Sequence, residues 1–388
     1  MKFIDLFHKT GDKLYPDWNT ILSIKEFRDL GLCQQSTVWH KEGNALVHVT
    51  SVTNHMVNYF HDNGLPMNDD YYIQMVSAAL CHDLGKPSTT KWEEDLQEYK
   101  TKCHGQVGAR ITRKLFFDEP DIELREKVCC MVKNHMTLHH ILDSKKEIDK
   151  KLKRLSWNMV TVKDMLLLKH CDSLGSKNDV ETPEMLDKVF NEIKENAERL
   201  DCYEKPFQFE NNFERLKYFY GVENSENYDE HFLAIIMVGL PGAGKDTFIK
   251  SFSGDNGLNV NLSNLPMLCR DLIRTEIGIK GEKPQGNKAQ EDKVTDIFNK
   301  RMMELCKDHK SFIVNNTNLL KKYRQDYCKK VIEHGGTPIF VYVEAPTLEE
   351  TKKRREGQIK PEIIDNMFWR FEFPEPSECL LPMVLYKH

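Results

Sequence analysis

The feature that most constrains this chain is a junction at residues 232–247, where the apolar run FLAIIMV leads straight into GLPGAGKDT. A short apolar run with β-branched residues reads as a strand buried on both faces. The segment after it, Gly239-x4-Gly244-Lys245, places glycines at 239, 242 and 244 and then opens a helix. That is the context in which a Gly-rich loop cradles phosphate. Similar apolar runs recur at Phe312–Val314 and Pro338–Val343, with helical stretches between them and Gly335-Gly336 ending a helix before the last run. Strand–helix–strand alternation implies a parallel sheet covered by helices.

Upstream the pattern differs. Val47–His61, Tyr71–His82, Val107–Phe117, Leu124–His135 and Met159–Cys171 carry apolar residues at helical spacing. Up to about Tyr220 the chain therefore reads as all-α. The polar, turn-rich stretch GVENSENYDE, Gly221 to Glu230, reads as the linker. With 388 residues the chain exceeds what one core usually holds. The expectation is multidomain: an all-α domain over 1–222, then an α/β domain over 231–388.

Composition narrows the function classes. A formal charge of −5 argues against a bulk nucleic-acid coat protein, while leaving room for a local basic groove. The stretch KKEIDKKLKR, Lys145 to Arg154, has enough charge to guide a phosphate backbone, although such a run is more often a solvated face. Eleven cysteines without a CxxC pair, and no signal-like amino terminus, read as reduced thiols in a cytoplasmic protein. No apolar run approaches the ~20 residues of a membrane span.

In the loop, the backbones of Gly239, Gly242, Ala243 and Gly244 would close around the phosphates of ATP or another NTP, and Lys245 would neutralise the β- and γ-phosphates. Downstream, CRDLIRTEIG puts Asp271 and Arg274 three residues apart on one helix face. A carboxylate there can take a proton from an attacking hydroxyl, and an arginine can hold a phosphate. Such a pair is also commonly a surface ion pair. Arg354 and Arg355, in TKKRRE, are placed to offset charge on a transferring phosphoryl group.

A second group of residues points to a metal. AALCHDLGKP sets His82 and Asp83 at the carboxyl end of an apolar helix. His48, His104, His135 and Asp172 lie on other helical segments, making six candidate ligands. Mixed nitrogen and oxygen ligands suit Mn²⁺, Ni²⁺, Co²⁺ or Zn²⁺ better than Mg²⁺ alone. Lys86 reads equally as a substrate-phosphate contact or as a surface lysine. His40, His55, His61 and His170 read as structural, and His139 and His140 as peripheral.

The second half, about Phe232 to Arg370, resembles the polynucleotide 5′-hydroxyl kinase family in its loop, the Asp271/Arg274 pair, the strand end NNTN and the lid arginines. The resemblance implies that Asp271 is the general base, that Arg274 contacts the acceptor phosphate and that a lid arginine, Arg355 or its neighbour Arg354, contacts the donor. Two departures are complementary: Asp246 stands where a Ser or Thr is expected, and Asn315 where a carboxylate often precedes NTN. Moving the carboxylate into the loop conserves local charge, so Asp246 reads as a relocated Mg²⁺ partner, with Thr247 left for a phosphate.

Across roughly Trp39 to Gly175 the chain resembles the HD phosphohydrolase superfamily, and WHKEGNALVHVT resembles the HD domains attached to tRNA nucleotidyltransferases. The resemblance implies that His48, His82, Asp83 and Asp172 bind one metal. In two-metal members Asp83 would be the bridge, and His104 and His135 would join the second ion. The order of the halves is similar to the bacterial HD-Pnk end-healing enzymes. That resemblance implies RNA or DNA ends as partners, 5′-OH at one site and 2′,3′-cyclic phosphate or 2′-phosphate at the other. It also implies a homodimer and a separate ligase acting afterwards. The competing expectation is an HD nucleotidase fused to a small-molecule kinase.

Overall fold

Two stretches each fold onto themselves, Met1–Gln208 and Phe209–His388. The computed structural model describes residues 1–138, 147–178, 182–223, 232–251, 261–279 and 287–387. His139 and His140, the start of the lysine-rich stretch and most of the expected linker lie outside the described residues.

In the first unit the expected helices form as Ala45–Asp62, Asp70–Cys81, His104–Leu115, Ile122–Asn134 and Val162–Gly175. Side-chain caps fix their starts. Asn44 accepts from the N–H groups of Leu46 and Val47, Asp69 from Tyr72, and Asp121 from Leu124. Thr161 and Asp164 form a reciprocal capping box. Along Ala45–Asp62 the buried stripe runs Ala45, His48, Val49, Val52, Met56 and Phe60, the spacing of one helix face. His48 therefore points into the core because of where it falls in that stripe. Two short hairpins interrupt the helices, β1 (Phe7–Thr10) with β2 (Lys13–Pro16), and β3 (Thr90–Glu93) with β4 (Glu98–Thr101). Four-residue strands are too short to leave a clear alternating pattern in sequence.

The expected boundary at residue 222 is displaced. Helix Asn212–Tyr220 belongs to the second unit, where Arg215 donates to the carbonyls of Pro376 and Cys379, each at 2.7 Å. The Tyr220 hydroxyl donates to the Glu378 carbonyl at 2.8 Å. Helical periodicity identifies the helix but not the core that receives it.

The second unit is built on a five-stranded, wholly parallel sheet. Its order is β6 (Met267–Leu268), β7 (Phe312–Val314), β5 (Leu233–Val238), β8 (Thr337–Glu344), β9 (Leu380–Lys387). The three strands read from sequence form its centre. The two edge strands were not legible: β6 has two residues, and β9 contains Pro382, which argues against a strand except at an edge. Strand β8 is thus not the last. Because β5 is central, the loop after it emerges at the carboxyl edge of the sheet, where parallel α/β folds bind ligands. Behind the loop, Ile235, Met237, Phe248, Ile313, Val341 and Val343 form a continuous apolar core. Among the described residues no helix is long and apolar enough to cross a membrane.

Candidate functional site

All six expected metal ligands converge in the first unit. His82 directly follows the Asp70–Cys81 helix, and its Nδ1 donates to the Ala79 carbonyl at 2.8 Å. His135 directly follows Ile122–Asn134, and its Nδ1 donates to the Val132 carbonyl at 2.8 Å. A carbonyl can only accept, so both rings hold a proton on Nδ1 and turn Nε2 inward.

Those nitrogens meet around Asp83. On one side, His48 Nε2 lies 3.2 Å from His82 Nε2 and 3.0 Å from Asp172 Oδ1. Asp83 Oδ2 lies 3.3 Å from His82 Nε2 and 3.6 Å from His48 Nε2. On the other side, Asp83 Oδ1 lies 3.5 Å from His104 Nε2 and 3.9 Å from His135 Nε2, and those two nitrogens are 2.9 Å apart. Ligand atoms about 2.1 Å from a metal sit about 3.0–3.4 Å from one another in octahedral or tetrahedral geometry. Most of these separations lie in or within about 0.2 Å of that range, and the 3.9 Å between Asp83 Oδ1 and His135 Nε2 is the widest. Both oxygens of buried Asp83 also lack an aligned hydrogen bond, although the Lys86 ammonium lies 2.7 Å from Oδ2; such a carboxylate suits a cation.

The electrostatics set His48 apart from the other ligands. Burial disfavours its charged form, but Asp172 and Glu42 outweigh burial and raise it to about 9, so a metal must displace its proton. Burial, with His104 and His82 beside it, pushes His135 down to about 3, which keeps it neutral as a ligand must be. Burial also lowers His104. Burial opposes ionisation of Asp83, yet Lys86 and His82 hold it well below the usual carboxylate range. At Asp172 burial is likewise overcome, by Lys169 and His48.

Two expectations need correction. Lys86 is neither a surface lysine nor free to meet substrate: it is buried, 2.7 Å from Asp83 Oδ2, and donates to Gln35 at 2.6 Å. His40, expected to be structural, lies beside the site and not apart from it: its ring packs 4.8 Å from that of His48, and its Nδ1 lies 2.8 Å from Glu42. His61 is exposed beside Asp62, and His170 packs on Phe190, as structural residues do. Glu42 and Gln35 escaped sequence reasoning, although Glu42 lies between two histidines in WHKEGNALVH.

In the second unit the loop has the tight form its glycines suggest. A Cβ on Gly239 would stand 2.3 Å from the Val343 carbonyl, so only glycine fits there. Lys245 folds over the loop and donates to the carbonyls of Gly239 and Leu240, each at 3.0 Å. Burial, opposed by Asp246 and reinforced by Arg355, pulls its pKa down to about 8. Ala243 is buried, whereas Asp246 and Thr247 are exposed at the start of helix Lys245–Ser251.

The NNTN turn braces this loop residue by residue. Asn315 donates to Asp246 at 2.6 Å, and Asn316 accepts the Arg270 N–H at 3.0 Å. The Thr317 carbonyl accepts the Gly239 N–H at 3.1 Å, and Asn318, at φ +48°, donates to the Met237 carbonyl at 2.7 Å. Buried Arg324 holds the turn from beneath, donating to the Asn318 carbonyl at 3.0 Å while paired with Glu378 at 3.1 Å.

Of the two lid arginines, Arg354 donates to the Gly242 carbonyl at 3.3 Å. The Arg355 side chain lies 3.2 Å from where a Gly242 Cβ would be. Both therefore border the loop. Asp271 is exposed and paired with Arg274. Arg274 also grips Glu291 through two 2.8 Å hydrogen bonds, a partner the sequence did not reveal.

Comparison with known proteins agrees with this geometry. The HD domain model matches residues 48–175, and an AAA domain model matches residues 235–374. The L-seryl-tRNA(Sec) kinase of Methanococcus maripaludis is 31% identical over 144 residues, 37% of this chain and 53% of that protein. The CC-adding tRNA nucleotidyltransferase of Thermus thermophilus is 38% identical over 60 residues, 15% of this chain and 14% of that protein. The chain thus spans about half of the first relative and a small part of the second. A solved structure provisionally titled a kinase, from Chloroflexus aurantiacus, overlaps 42% of this chain and 86% of its own at 17% identity, with a TM-score of 0.30. That score is too low to weigh.

Fold and site together define a helical HD domain followed by a P-loop, kinase-like α/β domain. The first implies a divalent metal held by the His/Asp cluster, and the second a nucleotide with Mg²⁺.

Proposed function

We propose that the chain is a bifunctional end-healing enzyme. Its second unit phosphorylates 5′-OH polynucleotide ends from an NTP, and its HD unit hydrolyses 2′,3′-cyclic phosphate or 2′-phosphate ends. The observation that carries the reading is a phosphate loop and a His/Asp centre bridged by Asp83 on one chain. One site adds phosphate and the other removes it, the paired task a broken strand presents before a separate ligase can join it. Both relatives are named for reactions on tRNA, which supports RNA as the substrate.

In the HD unit, His48, His82, Asp83 and Asp172 would hold one cation, and Asp83, His104 and His135 the other. Bound metal supplies an activated water and polarises the phosphoryl group. The chain's own residues turn the His82 and His135 rings inward and keep His135 neutral, and Lys86 offsets the charge of Asp83.

In the kinase unit, Lys245 neutralises donor phosphates and Arg354 or Arg355 closes over them. Exposed Asp271 takes the proton of the attacking hydroxyl. Asp246, held by Asn315, would be the partner of Mg²⁺. One observation favours a second reading, a kinase of small acceptors beside an HD nucleotidase. Arg274 spends its guanidinium on Asp271 and Glu291 rather than facing an acceptor phosphate. The end-healing reading carries a homodimer and a cytoplasmic setting with it; reading the cysteines as reduced thiols accords with the latter.

The test is γ-phosphate transfer from ATP to a 5′-OH oligoribonucleotide, with mononucleotides as competitors, beside hydrolysis of a 2′,3′-cyclic phosphate end. Lys245→Ala should abolish only the first activity and Asp83→Ala only the second. Strong competition by mononucleotides would favour the second reading.

A further inference from the structure

We infer that Glu42 is a positioning residue of the HD centre: it faces His48 from behind, so that the His48 Nε2 is turned to the metal side. The inference rests on the metal-dependent reading proposed for that centre.

The need for such a residue follows from where the histidines sit. His82 and His135 each follow a helix, where the last carbonyls lack intrahelical partners. Those carbonyls, of Ala79 and Val132, orient the two rings by accepting from Nδ1. His48 lies in the opening turns of helix Ala45–Asp62, where the nearby carbonyls serve the helix itself; the His48 N–H bonds the Asn44 carbonyl at 3.3 Å. Its Nδ1 is buried without an aligned hydrogen bond, and the carboxylate that faces it is Glu42, whose Oε1 lies 3.1 Å away.

Glu42 is itself fixed. Its side chain is 3% exposed, and the same Oε1 lies 2.8 Å from His40 Nδ1. Its Oε2 accepts the N–H of Lys177 at 2.8 Å, just past helix Val162–Gly175, which carries Asp172. The neighbouring Lys41 N–H donates to the Lys177 carbonyl at 2.7 Å. One carboxylate thus registers His48 against the helix that bears another ligand. A carboxylate behind a ligating imidazole also raises its basicity.

His40, Glu42 and His48 are close enough to suggest a third cation site instead. Two contacts argue against it. The Lys86 ammonium stands 3.5 Å from His40 Nε2, and Glu42 Oε2 is engaged by Lys177.

The experiment is calorimetric titration of Mn²⁺ into metal-stripped, full-length protein, comparing the natural chain with Glu42→Ala, Glu42→Gln and His48→Ala. Thermal unfolding of each metal-free sample reports its fold. Glu42→Ala should bind Mn²⁺ roughly 10- to 100-fold more weakly. Glu42→Gln, which keeps an acceptor oxygen but no charge, should lose less. If Glu42→Ala does not fold, Glu42→Gln decides, with about tenfold weaker binding expected. Folded Glu42 variants that bind as tightly as the natural chain, while His48→Ala does not, overturn the inference alone. No Mn²⁺ binding by the natural chain overturns the metal reading and the inference with it.

Discussion

Asn315 donates a 2.6 Å hydrogen bond to Asp246, joining the end of a sheet strand to the residue that follows the loop lysine. These two positions depart together from the kinase family pattern, and in the fold they touch. An amide can donate to a carboxylate where two carboxylates would repel. The contact supports reading the two departures as one rearranged unit.

The unit can be tested by reversing it. Asp246→Asn should raise the Mg²⁺ concentration needed for phosphotransfer at least about tenfold, the effect of a lost ligand or ligand-orienting group. Melting temperature should barely move, since Asp246 is exposed. The double change Asp246→Ser with Asn315→Asp should restore Mg²⁺ dependence. An unchanged Mg²⁺ titration in Asp246→Asn would sink the assignment.

Lys245 gives a pH prediction. Its folded pKa lies below the usual lysine value, at about 8, chiefly through burial. Above that pH the nucleotide-free loop loses its cation, so ATP affinity should fall as pH rises from 7 through 8 toward 9. The stability sign is opposite. Between about 8 and the ordinary lysine pKa the unfolded chain binds more protons, so the nucleotide-free protein should gain stability as pH rises. Below about 8 both states are charged and the cost of burying the ammonium is fully present. ATP binding measured across this range, beside Lys245→Arg, checks the first, and denaturant unfolding of the nucleotide-free protein checks the second; an affinity flat to pH 9.5 contradicts the first.

Asp83 should differ from its fellow ligands in stoichiometry. His135→Ala should leave one metal per chain, whereas Asp83→Ala should leave none held tightly, because its two oxygens serve both sides. Elemental analysis after dialysis would count the ions. Chelation should also lower the melting temperature, since a ligand at 100 times its Kd stabilises by about 2.7 kcal/mol.

Gly85 sets the distance between the His82-Asp83 turn and helix His104–Leu115. A Cβ there would stand 2.0 Å from the His104 carbonyl. Gly85→Ala should cost about 3 kcal/mol or more by overpacking and weaken metal binding, with kinase activity retained. Denaturant unfolding with a metal titration measures both. An Ala variant as stable as the natural chain would mean that the helix moves freely.

Glu378 pairs with fully buried Arg324 beneath the NNTN turn. Glu378→Ala should destabilise the second unit by about 3–5 kcal/mol, because it strands a buried guanidinium. Replacing both residues by apolar ones of similar size should recover much of that stability. Phosphotransfer should not recover, since Arg324 would no longer hold the Asn318 carbonyl.

What the sequence determined by itself was what short-range physics controls. Helical spacing marked the helices that carry His48, His82, His135 and Asp172, and an apolar run before a Gly-rich turn marked the central strand and the phosphate loop. Glycine at 239 and lysine at 245 are legible because few other residues can do their work there. The tertiary structure decided which partners meet across distant segments. It brought Asp83 between two pairs of imidazoles, buried Lys86 against that carboxylate, and gave Arg274 to Glu291. It moved helix Asn212–Tyr220 into the second unit and added β6 and β9 at the sheet edges. None of these could be read along the chain, because periodicity says which face of an element is buried and not what buries it. A side chain's charge and role are then set by the neighbours that packing brings within a few ångströms.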